Sequence, residues 1–159
     1  MARLFLVRHG QTAWNLEGRV QGHTDIPLNE LGRSQIKWLS VKLEPVSFAL
    51  AFASDLSRCS EAARTLLGER DAPLSVLPEL REQDYGEWQG LTYKQIEDRY
   101  PSLFDRLMTG DSTLAPPNGE SVDDMVRRVG GVREKLSRAA DDADEAGGDV
   151  LVVGHSGSL

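Results

Sequence analysis

The chain has a single cysteine, Cys59, in 159 residues, which excludes an intrachain disulfide and a cysteine-rich zinc site. It has no long apolar run. After Met1-Ala2-Arg3 only Leu4 to Val7 precede Arg8, short of the roughly seven or more residues of a secretory-signal core. A cytoplasmic chain is the expectation. Basic residues are in deficit, with 18 Lys and Arg against 25 Asp and Glu and a formal net charge of -7, which argues against sequence-independent binding to nucleic acid, since that needs a basic face. No glycine-rich loop ending in Gly-Lys-Ser/Thr occurs, and nucleotide-driven transfer has no support. Internal repeats and long low-complexity stretches are absent too. None of this forbids an anionic ligand, because a few converging Arg and His side chains make a local cationic pocket on an acidic protein.

What is present fits one globular domain over residues 1–159, since domains run to roughly 100 to 200 residues. Four short apolar runs read as strands: "RLFLV" (Arg3 to Val7), "FALAFAS" (Phe48 to Ser54), "LSVL" (Leu74 to Leu77) and "DVLVV" (Asp149 to Val153). The first and last are nearly continuous, as parallel strands covered on both faces are. Helical patterns lie between them. Asn29 caps one running to about Leu43, Leu56 or Ser57 opens one to about Glu69, and Thr92 with Gln95 makes a capping box for one ending before Pro101. A further helix begins at Ser121 and places Val122, Met125, Val126, Val129, Val132 and Leu136 on one face, weakened at Gly130 and Gly131. "TGDSTLAPPNGES" (Thr109 to Ser121) reads as a surface loop. Strands alternating with helices predict an α/β fold, with a largely parallel central sheet flanked by helices in three layers.

In such sheets ligands bind beyond the carboxyl ends of the strands. The first strand delivers Arg8-His9-Gly10 there, and the last delivers Gly154-His155-Ser156-Gly157. The second runs through Ser54-Asp55 to Arg58, and the third is followed by Glu79, Arg81 and Glu82. A parallel sheet would gather two histidines, two arginines and a carboxylic acid at one edge. Arginine presents a planar fork of donors matched to phosphate oxygens. A histidine beside a bound phosphoryl group can attack phosphorus and divide one displacement into two. A neighbouring carboxylic acid can protonate the leaving oxygen. The set points to phosphoryl transfer without a metal. A two-histidine metal site is disfavoured by the missing Asp/Glu-His spacing and by the adjacent Arg8.

The segments "LVRHGQT", "GHTDIPLNELG", "SDLSR", "LREQDYGEWQG", "NGES" and "VVGHSG" stand in the order and rough spacing of the histidine phosphatase superfamily, the phosphoglycerate-mutase-like proteins. The chain resembles that family over essentially its whole length. The resemblance implies that His9 is phosphorylated, that Arg8 and Arg58 clamp the phosphoryl group, that His155 completes the pocket and that Glu82 donates the proton. It also implies substrate contacts for Asn15, Gln21, Gly22 and Ser156, with no metal and no cofactor. Glu79 and Asp84 lie close enough in sequence to stand in for Glu82. His23 reads as a loop residue, Cys59 as a buried small side chain, and Trp14, Trp38 and Trp88 as core or pocket wall.

The chain departs from the family pattern in three places. Ala62-Ala63 replaces a usual Thr-Ala after Arg58, a change of packing more than of chemistry. The segment "LTYKQIEDRYPSLFDRLMTGDSTLAPPNGES" is shorter than its mutase counterpart and lacks an adjacent arginine pair, which resembles the phosphatase branch, including the fructose-2,6-bisphosphatase and alpha-ribazole phosphatase types. The sequence also stops at Leu159, where family members continue with a helix and usually another strand. Part of the sheet is then expected to stay open to another chain, giving an unstable or self-associating form such as a homodimer. The resemblance implies a phosphomonoester hydrolase of a small phosphorylated metabolite. The alternatives are a cofactor-dependent phosphoglycerate mutase and, in another class, a non-catalytic phosphate-binding module.

Overall fold

The computed structural model describes all 159 residues, Met1–Leu159. Strands β1 (Leu4–Arg8), β2 (Phe48–Ala53), β3 (Leu74–Val76) and β4 (Asp149–Gly154) form one all-parallel sheet in the order β1-β4-β2-β3. Each is an apolar run read from the sequence, shifted by at most one residue at either end. The helices are α1 (Ala13–Leu16), α2 (Glu30–Lys42), α3 (Ser57–Leu67), α4 (Tyr93–Arg99), α5 (Pro101–Met108), α6 (Val122–Gly130) and α7 (Arg133–Glu145).

Strand β4 is buried at all six positions, which is why its run is apolar without interruption. Successive side chains point to opposite faces. Leu151 and Val153 enter one core with Ile36 of α2 and Cys59, Ala62, Ala63 and Leu66 of α3. Val150 and Val152 enter a second core with Leu80, Val132 and Ala143 of α7. The sheet thus lies between two helical layers. A third, smaller cluster of Trp88, Ile96 and Leu114, with Tyr85, Tyr100 and Phe104 against it, forms a cap beside the carboxyl ends of the strands. At the β1 edge, Leu4 and Leu6 are 43% and 51% exposed and line an apolar groove with Leu136 and Val152. No helix is long and apolar enough to cross a membrane.

Several details differ from the sequence reading. The pattern beginning at Ser121 is two helices, because the chain breaks at Gly130-Gly131 and turns on buried Val132. Met125 is buried, but Val122 and Val126 are 37% and 61% exposed. Pro101 does not only end α4. It occupies the first turn of α5, where its missing N–H costs no hydrogen bond. Helix α3 has no side-chain cap from Leu56; Asp25 supplies one from outside, accepting from the Ser57 amide at 2.8 Å and its hydroxyl at 2.7 Å. The Thr109 to Ser121 segment is partly a core element, since Leu114 is only 4% exposed within the cap.

Candidate active site

Strand register builds the site. Arg8 on β1 lies opposite Gly154 on β4, so the next residues, His9 and His155, leave the sheet side by side. The His9 amide donates to the Gly154 carbonyl at 3.1 Å, and the two imidazole centroids are 5.1 Å apart. On the other flank of β4, Ala53 lies opposite Val153 and Ser54 follows it. The Ser54 hydroxyl stands 3.0 Å from His155 Nε2, with the Cys59 thiol at 3.3 Å.

Gly10 is required by a close backbone approach. A Cβ there would collide with the Gly32 carbonyl of α2. The contact that demands glycine is therefore with a helix, not with substrate.

His9 is oriented by its own neighbour. Its Nδ1 lies 2.7 Å from the Gly10 carbonyl. A carbonyl only accepts, so Nδ1 carries the proton and the neutral ring keeps its lone pair on Nε2. Burial, with Arg58 and Arg8 nearby, lowers the His9 pKa to about 4 even though the Gly10 bond favours the charged form. Burial likewise holds His155 well below the ordinary histidine value, reinforced by Arg58 and His9. Both shifts favour the neutral imidazole. Cys59 is buried beside them, and burial pushes its thiol up to about 12, which leaves it inert as a nucleophile.

Arg58 is 1% exposed, and burial lowers its pKa as well. Its Nη1 donates to the Thr24 carbonyl at 3.0 Å and its Nη2 to the Gly22 carbonyl at 2.8 Å, but its Nε is buried with no partner. An unsatisfied buried donor on a cation costs free energy unless an acceptor arrives. Arg8, Arg58, His9 and His155 all line one cleft of about 290 Å³, which gathers positive charge where a phosphoryl group would enter.

The cleft also receives Glu82, Asn15, Gln21 and Gly22. Asn15 is held by a reciprocal capping box with Thr12, whose hydroxyl donates to Gln21 Oε1 at 2.7 Å. Glu82 Oε1 accepts from the Gln83 amide at 3.0 Å, and its Oε2 faces the Ser156 hydroxyl and the Gly157 amide at 3.4 Å each. A side chain at residue 157 would strike the Glu82 carboxyl. Ser156 is exposed and meets Glu82 without lining the cleft. The neighbouring acids are occupied elsewhere: Asp84 accepts from the Gly86 amide at 2.9 Å, and Glu79 lies 3.7 Å from Lys135. Arg81 is bound by Asp55 through two bonds of 2.7 and 2.5 Å. No group of three or more His, Cys, Asp or Glu side chains is placed to hold a metal ion.

Some contributors were not apparent from sequence. Arg19, Val20, Tyr85 and Tyr93 join Trp14 in walling the cleft beyond the phosphate end. His23 is more than loop decoration, because its Nε2 donates to the Glu82 carbonyl at 2.9 Å. Trp38 is 63% exposed and lies outside the cleft, whereas Trp88 is 1% exposed in the cap core.

A parallel sheet that presents two histidines and Arg8 at the ends of adjoining strands, with Arg58 of α3 lining the same cleft and neither arginine bound to a carboxylate, defines a phosphoryl-handling protein. The chain belongs to the histidine phosphatase superfamily (branch 1), whose pattern it matches over residues 4–159. It is 36% identical to 2,3-bisphosphoglycerate-dependent phosphoglycerate mutase 2 of Gloeobacter violaceus, across all of this chain and 73% of that one. It is 38% identical to glucosyl-3-phosphoglycerate phosphatase of Mycobacterium tuberculosis, across 99% of this chain and 71% of the relative. Among solved structures, the alpha-ribazole phosphatase of Shigella flexneri superposes with a TM-score of 0.87 at 30% identity, covering 99% of this chain and 75% of its own.

Proposed function

We propose that this protein is a metal-independent phosphomonoesterase that works through a phosphohistidine on His9. The observation that carries the reading is the convergence of His9, with its lone pair on Nε2, and of Arg8, Arg58, His155 and Glu82 on one cleft. Arg8, Arg58 and His155 hold the nonbridging oxygens, where charge must be stabilised during transfer. His9 Nε2 forms the bond to phosphorus as the ester oxygen departs, and Glu82 delivers a proton to that oxygen. In the second half, the Glu82 carboxylate takes a proton from water, the water oxygen bonds to phosphorus, and the bond to His9 breaks to release phosphate. Asn15, Gln21 and Gly22 shape the pocket around the phosphoryl group.

The substrate class is a small phosphorylated metabolite. The wall beyond the phosphate is aromatic on one side, with Trp14, Tyr85 and Tyr93. Its one further cation, Arg19, is already engaged by Glu17 at 2.6 Å and the Gly90 carbonyl at 2.7 Å. A mutase must retain a carboxylated partner until the phosphoryl group returns to it. A wall without a free cation disfavours that and favours hydrolysis.

The test is product analysis with 3-phosphoglycerate and a panel of sugar and nucleoside phosphates in EDTA, with His9→Ala as control. Release of inorganic phosphate that the variant abolishes is expected. Conversion to 2-phosphoglycerate with a bisphosphorylated primer, without phosphate release, would make the protein a mutase. Binding without turnover on the whole panel would make it a phosphate-binding module.

A further inference from the structure

We infer that Arg128, on α6, is a positioning residue for Glu82: its guanidinium holds the backbone of the loop that aims the carboxyl into the cleft. The inference rests on the reading of Glu82 as proton donor. Nη1 of Arg128 donates to the carbonyls of Glu79 at 2.8 Å and Arg81 at 3.0 Å, and Nη2 donates to the carbonyl of Glu82 at 3.0 Å. These carbonyls lie past the end of β3, and no backbone N–H reaches any of them. One rigid fork therefore supplies donors that neither sheet nor helix provides.

The fork is itself fixed. Glu120 accepts from Arg128 Nη2 through Oε1 and from Nε through Oε2 at 3.3 Å, and Oε1 also accepts from the Asp84 amide at 3.0 Å. His23 is a second donor to the Glu82 carbonyl, at 2.9 Å. Arg128 does not line the cleft, so it cannot touch substrate there. The Glu82 carboxyl has no cationic partner of its own, only its neighbour's amide and two long contacts of 3.4 Å. Its aim depends on where the backbone is held. This is a short-range requirement, since a proton donor must come within about 3 Å of the leaving oxygen to act.

The prediction is selective damage. Loss of a proton donor slows expulsion of a poor leaving group and spares one that departs unassisted. Arg128→Ala should therefore lower kcat/KM, which reports only the steps through departure of the leaving group, by about 30- to 100-fold for phenyl phosphate and by less than about fivefold for 4-nitrophenyl phosphate, a partial loss at or below the low end of the roughly 10²- to 10⁴-fold range of general-acid effects. Arg128→Lys, which keeps the charge without the fork, should recover part of the loss. His23→Ala, which removes only one donor, should show the same selectivity to a smaller degree and serves if Arg128→Ala does not fold. Glu82→Gln is run in parallel and should show the strongest selectivity. If Glu82→Gln is selective while folded Arg128 and His23 variants slow both esters equally, or neither, the positioning role is overturned. If Glu82→Gln itself shows no selectivity, the donor assignment fails, and the role inferred for Arg128 falls with it.

Discussion

The two ends of the cleft are built differently. At the phosphate end, Arg8, His9 and His155 follow directly from paired strands, and the β1-β4 register alone sets the two imidazoles 5.1 Å apart. At the other end, Trp14, Arg19, Tyr85 and Tyr93 sit on a one-turn helix, loops and the first residue of α4, and Tyr85 packs against a separate small core of Trp88, Ile96 and Leu114. His155 follows β4, the most deeply buried strand of the fold, and His9 follows its hydrogen-bonded neighbour β1. The residues at the other end stand on elements whose replacement leaves β4 untouched, which suits them to the proposed discrimination between leaving groups.

If that division holds, substitutions at the two ends should differ in kind. The largest effect belongs to His9→Ala, which should reduce turnover of every phosphomonoester by at least about 10⁴-fold, as loss of a nucleophile does. Circular dichroism should show the fold retained. Arg58→Met should cost about 10² to 10³ in kcat, the usual effect of removing an oxyanion-stabilising donor. Because Arg58 is a buried cation with an unpartnered Nε and no carboxylate partner, the same variant should melt no lower than wild type. A clear drop in Tm would show that the Gly22 and Thr24 carbonyl bonds outweigh the burial of the charge.

The third prediction concerns pH. The His9 pKa is about 4 in the folded chain, below its ordinary value, so the unfolded chain binds the extra proton first as pH falls. The stability linked to His9 is therefore complete above about pH 6.5 and is lost progressively down to about pH 4. His155 acts in the same direction. Thermal midpoints measured across that window should fall as pH falls, and His9→Ala should flatten part of the slope. A His9 imidazole titrating near 6.5 by NMR would contradict the burial argument. The smallest effect belongs to the cap: Tyr93→Ala should change kcat for a small aryl phosphate by less than about threefold while reordering KM among bulkier esters, since only uniform binding is lost.

The same division explains what could be read from the sequence. Continuous apolar runs identify β1 and β4, but only β4 is covered on both faces, since Leu4 and Leu6 leave one face of β1 exposed; the residues following such runs must arrive at the strand ends. His9, Arg58, Glu82 and His155 were visible for that reason. His23 was not, because its partner is a backbone carbonyl 59 residues away. Ser156 follows His155 in sequence, but the turn in which the His155 amide donates to the Ser158 hydroxyl leaves its side chain outside the cleft. Val122 and Val126 obey helical periodicity yet lie exposed, because the break at Gly130-Gly131 makes α6 a short helix that buries Met125 alone. Periodicity gives the stripe; the break decides how much of it is used.

The central claim is that His9 carries the phosphoryl group between two displacements, and the most direct measurement is to trap it. Wild-type protein mixed with a turned-over phosphomonoester in EDTA, quenched within the first turnover and examined by intact and peptide mass spectrometry, should carry one phosphoryl group on His9. The label should be absent from His9→Ala and should disappear as inorganic phosphate accumulates. Turnover with no labelled protein, or with the label on a residue other than His9, would contradict the account.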